Sequence, residues 1–216
     1  RDILTPGGLT DIIENYAQIV EYKDDRTGKK RREQIFPRYH QLDVVRKLLA
    51  DARQRSVGHR YLIQHSAGSG KSNSIAWLAH QLVALRKEQE PIFDSVIVVT
   101  DRRVLDRQIR NTIKQFAQVA ATVGHAEHSG DLRRYLEDGK KIIITTVQKF
   151  PFVLDEIGNE HRSRQFAILI DEAHSSQGGR TAAAMNEALS AVHIEEDDET
   201  TEDAINRIME SRKMLS

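Results

Sequence analysis

HSAGSGKSNS, residues 65–74, stands between the apolar YLI of 61–63 and the apolar-periodic IAWLAHQLVAL of 75–85. A loop that joins a strand to a helix aims successive backbone N–H groups at one spot. The helix dipole adds partial positive charge there, so such a spot holds phosphate. In SAGSGKS, residues 66–72, Gly68 and Gly70 let the backbone approach oxygen with no Cβ in the way, and Ala67 and Ser69 complete the cradle. Lys71 supplies a cation for the β and γ phosphates, and Ser72, first in the helix, ligates Mg²⁺. The usual pattern has glycine five positions before Gly70, where this chain has His65. An ordinary glycine turn is the competing reading.

Three short β-branched runs, VIVVT (96–100), IIITT (142–146) and AILID (167–171), are near-continuous apolar segments of strand length, and YLIQ (61–64) is a weaker fourth. Such runs suit strands covered on both faces, as in a parallel sheet. Helical spacing lies between them. Ile75, Leu78, Ala79, Leu82 and Leu85 recur at three to four, and Val104, Ile109, Ile113 and Phe116 do so less tightly. Strands alternating with helices predict an α/β fold, a doubly wound, mostly parallel sheet flanked by helices. YHQLDVVRKLLADARQ (39–54) reads as an amphipathic helix starting soon after Pro37. TAAAMNEALSAV (181–192) and TEDAINRIMESRKML (201–215) read as helices on either side of an acidic run.

The chain has 216 residues, 39% hydrophobic and 30% charged, which is the range of a folded globular body with a buried core. Without cysteine it has neither disulfides nor thiolate metal ligands, which fits a reducing, cytoplasmic setting. No run approaches the ~20 apolar residues that span a bilayer. RDILTPGGLTDIIENY (1–16) lacks the basic start and apolar core of a secretory signal, so no membrane partner is expected. Formal net charge is zero, which gives the molecule as a whole no pull toward nucleic acid. KDDRTGKKRREQ (23–34) has six basic and three acidic residues, 6 − 3 = +3, while EEDDETTED (195–203) has seven acidic residues and no basic one. Both runs read as solvated loops. None of the nine histidines stands at a metal-ligand spacing with carboxylates, so no zinc site is expected.

ILIDEAH (168–174) ends an apolar strand in two consecutive carboxylates, at the strand end where a doubly wound sheet carries its chemistry. Asp171 suits a Mg²⁺ held through water, and Glu172 suits a base that polarises the attacking water. Alone, such a pair also reads as a helix N-cap. Gln41 lies 30 residues before Lys71, and a glutamine amide pairs with both N6 and N7 of adenine. Phe36 or Tyr39 suits stacking on the ring, and a solvent-facing glutamine is the alternative.

Together these residues resemble superfamily 2 helicases and translocases: SAGSGKS is similar to motif I, DEAH (171–174) to motif II, and Gln41 to the Q motif. FPRYHQLDVV (36–45), QHSAGSGKS (64–72), VVTDRRVLDRQI (98–109), TTVQKF (145–150) and DEAHSSQGG (171–179) narrow the resemblance to the motor subunit of type I restriction enzymes, over roughly residues 35 to 190. The resemblance implies a P-loop NTPase of RecA-like fold that uses ATP and Mg²⁺ to translocate double-stranded DNA. It also implies modification and specificity subunits as partners, and a nuclease domain and second motor lobe in the same full-length chain.

On this reading residues 1–34 are a lead-in from the nuclease region or a linker, and residues 35–216 are the first motor domain, ending at MESRKMLS before motif III. Thr100, Arg102 and Arg103 follow one strand run, and Thr146, Gln148 and Lys149 follow another. Hydroxyls, amides and cations at such places suit sequence-independent contact with DNA phosphates. The resemblance aligns them with motifs Ia and Ib; the alternative is that Arg102 and Arg103 only cover a first helical turn. His174 is the candidate for coupling hydrolysis to movement. Ser176, Gln177 and Arg180 receive no role. In such motors the second lobe supplies an arginine to the transition state, so this chain is expected to bind nucleotide better than it turns it over. The other readings are a superfamily 2 motor acting on RNA or chromatin, and a nucleotide- or DNA-binding module without activity of its own.

Overall fold

The structure, a computed structural model, describes residues 4–23, 27–66, 68–100, 109, 111–114, 123–126, 129–146 and 163–171. Helix α1 (Pro6–Asn15) starts with proline in its first turn, and the Thr5 hydroxyl accepts from the Gly8 N–H at 3.1 Å. An antiparallel ribbon follows, β1 (Gln18–Lys23) and β2 (Lys30–Ile35), in register from Gln18↔Ile35 to Lys23↔Lys30. Residues 30–34 of the basic run, expected as a loop, form one arm of this ribbon. Period-two alternation lets Val20 and Ile35 rest on the core while residues 30–34 stay exposed.

Helix α2 (Tyr39–Arg55) begins two residues after Pro37, as its pattern predicts, and buries Leu42, Val45 and Ala52. Helix α3 (Lys71–Ala84) buries Ala76, Trp77, Leu78, Ala79 and Leu82 and packs on α2. Trp77 is 1% exposed. Its indole N–H donates to the Tyr16 carbonyl at 2.8 Å, and its ring lies 5.9 Å from that of Tyr16, which ties α3 to the end of α1. Arg46 of α2 reaches back to α1, donating from Nε to Asp11 at 2.9 Å. A two-residue hairpin, β3 (Arg86–Lys87) with β4 (Glu90–Pro91), leads into the main sheet.

That sheet is parallel and four-stranded. It holds β5 (Ser95–Thr100), β6 (Val123–His125), β7 (Ile142–Thr146) and β8 (Phe166–Ile170) in the order β6–β7–β5–β8. Helix α4 (Ser129–Glu137) connects β6 to β7. Every residue of β5 is buried. Val96, Val98, Ile142 and Ile144 share one cluster with Trp77, Ile109 and Ile113, while Ile97, Val99 and Ile143 alternate to the other face and are buried too. Strands β5 and β7 are therefore covered on both faces, which is why they read as continuous apolar runs instead of alternating ones. This is the expected α/β, P-loop class with parallel strands.

One expected strand is corrected. YLIQ (61–64) has no regular secondary structure and joins no ladder among the described residues, and Leu62 is 89% exposed. Its three apolar side chains are left largely in solvent, and the Tyr61 hydroxyl donates to Asp51 at 2.5 Å. The fourth place in the sheet belongs to Val123–His125, which pairs with β7. Of the second helical pattern, residues 109 and 111–114 are helical, and Val104 and Phe116 lie outside the described residues. So do the helices expected at 181–192 and 201–215 and the acidic run. No described helix is long and apolar enough to cross a membrane.

Candidate phosphate-binding site

The phosphate loop enters α3 through two left-handed glycines, Gly68 at φ 73° and Gly70 at φ 80°, and Gly70 is the N-cap. A left-handed residue there turns the chain so that the helix begins at Lys71, and the Gly70 carbonyl already accepts from Asn73 N at 3.0 Å and Ser74 N at 3.3 Å. A helix start carries N–H groups without intrahelical acceptors and the positive end of the dipole. Lys71 and Ser72 occupy that first turn, both half-buried. Ser69 is buried, and its hydroxyl has no protein partner.

Among the described residues the segment before the loop pairs with no strand, and the loop is contacted by side chains of α2. Gln41, the third residue of α2, is 2% exposed. Its Nε2 donates to the carbonyls of Ser69 at 3.1 Å and Gly70 at 2.9 Å, and its Oε1 accepts from the Arg38 N–H at 2.8 Å. His40 Nε2 also lies 3.1 Å from the Ser69 carbonyl. A carbonyl only accepts, so that nitrogen carries the proton. The His65 ring stands edge-on to His40, centroids 5.1 Å apart. Burial pushes the His65 imidazole below its usual range, with smaller contributions from repulsion by His40 and Lys71. His40 was not among the residues singled out by sequence. Its only signal is its place beside Gln41, because its partner is a backbone carbonyl 29 residues away.

The carboxyl ends of three adjacent strands meet in register. Thr100 of β5 is level with Thr146 of β7, and Val99 with Ile170 of β8; the next residue, Asp171, donates its N–H to the Val99 carbonyl at 2.9 Å. Asp171 is 6% exposed. Helix α3, whose first residue is Lys71, packs on β5, β7 and β8. Thr100 and Thr146 are buried, and the Thr100 hydroxyl contacts the Thr145 carbonyl at 3.4 Å. Ala67, Arg102, Arg103, Gln148, Lys149, Glu172 and His174 lie outside the described residues.

The groups present suit a magnesium-bound nucleotide. A buried hydroxyl without a partner costs about 1–3 kcal/mol, and a phosphate oxygen at the loop is a partner for Ser69. Magnesium takes hard oxygen ligands, commonly one or two carboxylates with the rest from substrate and water. Ser72 and Asp171 are of that kind, and among the described residues no cluster of three or more His, Cys, Asp or Glu is placed to hold a metal by itself.

The chain matches known proteins over this same region. The family model described as SWI2/SNF2 ATPase matches residues 40–194, which include the loop and Asp171. The chain is 26% identical, over 213 aligned residues, to a protein of Methanocaldococcus jannaschii named provisionally as a type I restriction enzyme MjaVIIIP endonuclease subunit. That match takes in 87% of this chain and 20% of the other protein, so the chain spans about a fifth of the length of its curated relative. Among solved structures, the UvsW helicase from bacteriophage T4 superposes with a TM-score of 0.46 at 12% identity, over 84% of this chain and 65% of that one.

Proposed function

This chain belongs to the SWI2/SNF2 ATPase family, and we propose that within it the chain is the ATP-dependent DNA translocase motor module of a type I restriction endonuclease, working in the cytoplasm. The observation that carries the nucleotide half of this reading is the loop itself: left-handed Gly68 and Gly70 open α3 at Lys71, with the Ser69 hydroxyl buried and unpartnered. The restriction half rests on the relative named as an endonuclease subunit, together with the ordered motifs of the sequence.

In this reading the loop from Ala67 to Ser72 holds the phosphates of ATP, and Lys71 neutralises charge on the β and γ groups. Ser72 and Asp171 would hold the magnesium, which would supply neutralisation of the negative charge on the phosphates. Glu172 polarises the attacking water. Thr100, Arg102, Arg103, Thr146, Gln148 and Lys149 follow the ends of β5 and β7 and contact the duplex through its phosphates, and His174 couples hydrolysis to movement. Residues 35–216 form the first motor domain and residues 1–34 a lead-in. Modification and specificity subunits, a second motor lobe and a nuclease domain complete the machine. The arginine that stabilises the transition state comes from the second lobe, so turnover by this chain alone stays well below about 1 s⁻¹.

Titration with a fluorescent ATP analogue, of the wild-type chain and of Lys71→Ala, tests the reading. Saturable magnesium-dependent binding that Lys71→Ala abolishes is expected, with slow hydrolysis in the presence and absence of duplex DNA. Binding unchanged in Lys71→Ala refutes the assigned site, and turnover of about 1 s⁻¹ or faster from this chain alone refutes the dependence on a second lobe.

A further inference from the structure

The ribbon that precedes α2 carries charge for which the nucleotide site has no use. The molecule's formal net charge is zero, so attraction to a polyanion has to be local. Residues 27–34 are all exposed, and four in a row are cations: Lys29, Lys30, Arg31 and Arg32. A charge run in a loop is ordinarily only a solvated stretch. Here all but Lys29 belong to a ladder, paired from Gln18↔Ile35 to Lys23↔Lys30.

Anchorage and charge lie at opposite ends of that ladder. Val20 and Ile35 pack on the core near the Gln18–Ile35 end. Toward that end the cations are offset: Arg32 donates to Glu21, its partner across the ladder, at 2.6 Å, and Glu33 follows in the strand. Toward the other end Lys29 and Lys30 have no carboxylate partner among the described residues. A scaffold rooted in the core therefore holds uncompensated positive charge in solvent.

The shape selects among polyanions. Alternation along β2 turns Lys30 and Arg32 to one face of the ribbon, about 7 Å apart, and Arg31 to the other. The major groove of duplex DNA admits a two-stranded ribbon, and cations on both faces reach the phosphates along both of its walls. A single strand is gripped instead by rings on which its bases stack, and residues 27–35 contain no aromatic.

We propose that the β1–β2 ribbon is a second grip on duplex DNA, in which Lys29, Lys30 and Arg31 bind backbone phosphates. Such contacts carry no sequence information, as a motor that travels along a duplex requires. The ribbon is separate in the chain from Thr100, Thr146 and the residues that follow them. The inference rests on the duplex-binding part of the proposed function and adds a surface to it.

The test is fluorescence anisotropy of the chain with two duplexes of unrelated sequence, across a range of salt. Lys29→Gln/Lys30→Gln removes two cations of the ribbon, and Lys47→Gln/Lys87→Gln removes two exposed cations elsewhere as a control for net charge. All four side chains lie in solvent, so melting temperatures stay within about 2 °C of wild type and a loss of binding is not a loss of fold. The ribbon variant is expected to bind both duplexes more weakly by the same factor. Its plot of log K against log salt should be shallower by about 1.8, the share of two phosphate contacts, so its deficit shrinks about twelvefold between about 50 and 200 mM. The control keeps a slope within about 0.5 of wild type. An unchanged slope in the ribbon variant, or one lowered equally by the control, overturns the proposal and leaves duplex binding elsewhere on the chain intact. So does a ribbon variant that keeps the duplex but loses poly-glutamate or single-stranded DNA, because the ribbon then holds a peptide or an unpaired strand. A wild-type chain that binds neither duplex removes the duplex-binding part of the proposed function, and this inference with it.

Discussion

Replacing Gly70 by alanine should injure this chain far more than one methyl group suggests, and for two separable reasons. Gly70 has φ 80°, where a residue with a Cβ costs about 1–2 kcal/mol. The new Cβ would also lie 2.5 Å from Gln41 Nε2, so the amide must withdraw from the Ser69 and Gly70 carbonyls. Each bond lost is worth about 0.5–1.5 kcal/mol net, which brings Gly70→Ala to about 2–5 kcal/mol. In a chain of this size that is a fall in melting temperature of about 4–20 °C. The decisive assay is a double-mutant cycle by urea denaturation with Gln41→Ala. Once the glutamine is truncated the second cost disappears, so Gly70→Ala in that background should cost only the backbone strain, leaving a coupling of about 1–3 kcal/mol. Additivity within about 0.5 kcal/mol would show that Gly70 and Gln41 do not constrain one another.

Two further outcomes can be checked in the same way. His80 Nε2 donates to the Ile113 carbonyl at 2.9 Å, and burial, only partly offset by that bond, pushes its imidazole below 6.5. A depressed histidine stabilises while neutral: its contribution is intact above 6.5 and is lost as pH falls through the lowered folded value. Melting temperature between about pH 7.5 and pH 5 should therefore fall less steeply in His80→Gln than in wild type. Gly124 in β6 lies under the Tyr135 ring, where a Cβ would approach Cδ2 to 2.7 Å. Gly124→Ala should cost about 1–3 kcal/mol by overpacking, measured by urea denaturation, and much less in a Tyr135→Ala background.

What the letters of the sequence disclose depends on whether side chains or backbone do the work. Strands β5 and β7 are visible because a strand buried on both faces must be apolar at nearly every position, and VIVVT and IIITT are; β8 is half-buried at most positions yet keeps the apolar run AILI. Helices α2 and α3 are visible because one face of each is spent on the core. Strand β6 is not, since Val123–His125 is three residues with a central glycine, chosen for the ring above it. The β1–β2 ribbon hides behind its charges: Val20 and Ile35 carry its packing, and its outer positions read as a solvated run. YLIQ misleads in the opposite direction, with strand-like letters and no partner strand among the described residues. At the site, the glycines, Lys71 and Gln41 are legible as residue types. What Gln41 and His40 touch is not, because a backbone carbonyl has no letter of its own.

The support under the loop has a physical consequence. A loop that continues a ladder strand inherits the cooperativity of the sheet, whereas among the described residues this one is held by side-chain bonds from α2, each worth about 1 kcal/mol. Segments fixed by a few such bonds open locally at far lower free energy than the core does. The carboxyl edge is the opposite case: Thr100, Thr146 and Asp171 are buried at the ends of paired strands, in register with one another. Of the two halves of the proposed nucleotide site, one is therefore rigid and the other adjustable. Helix α3 joins them, starting in the loop at Lys71 and packing on β5 and β8. A change in how α2 grips the loop should shift where α3 begins while leaving the carboxylate edge in place, so phosphate contacts at the loop are the ones that the protein can adjust.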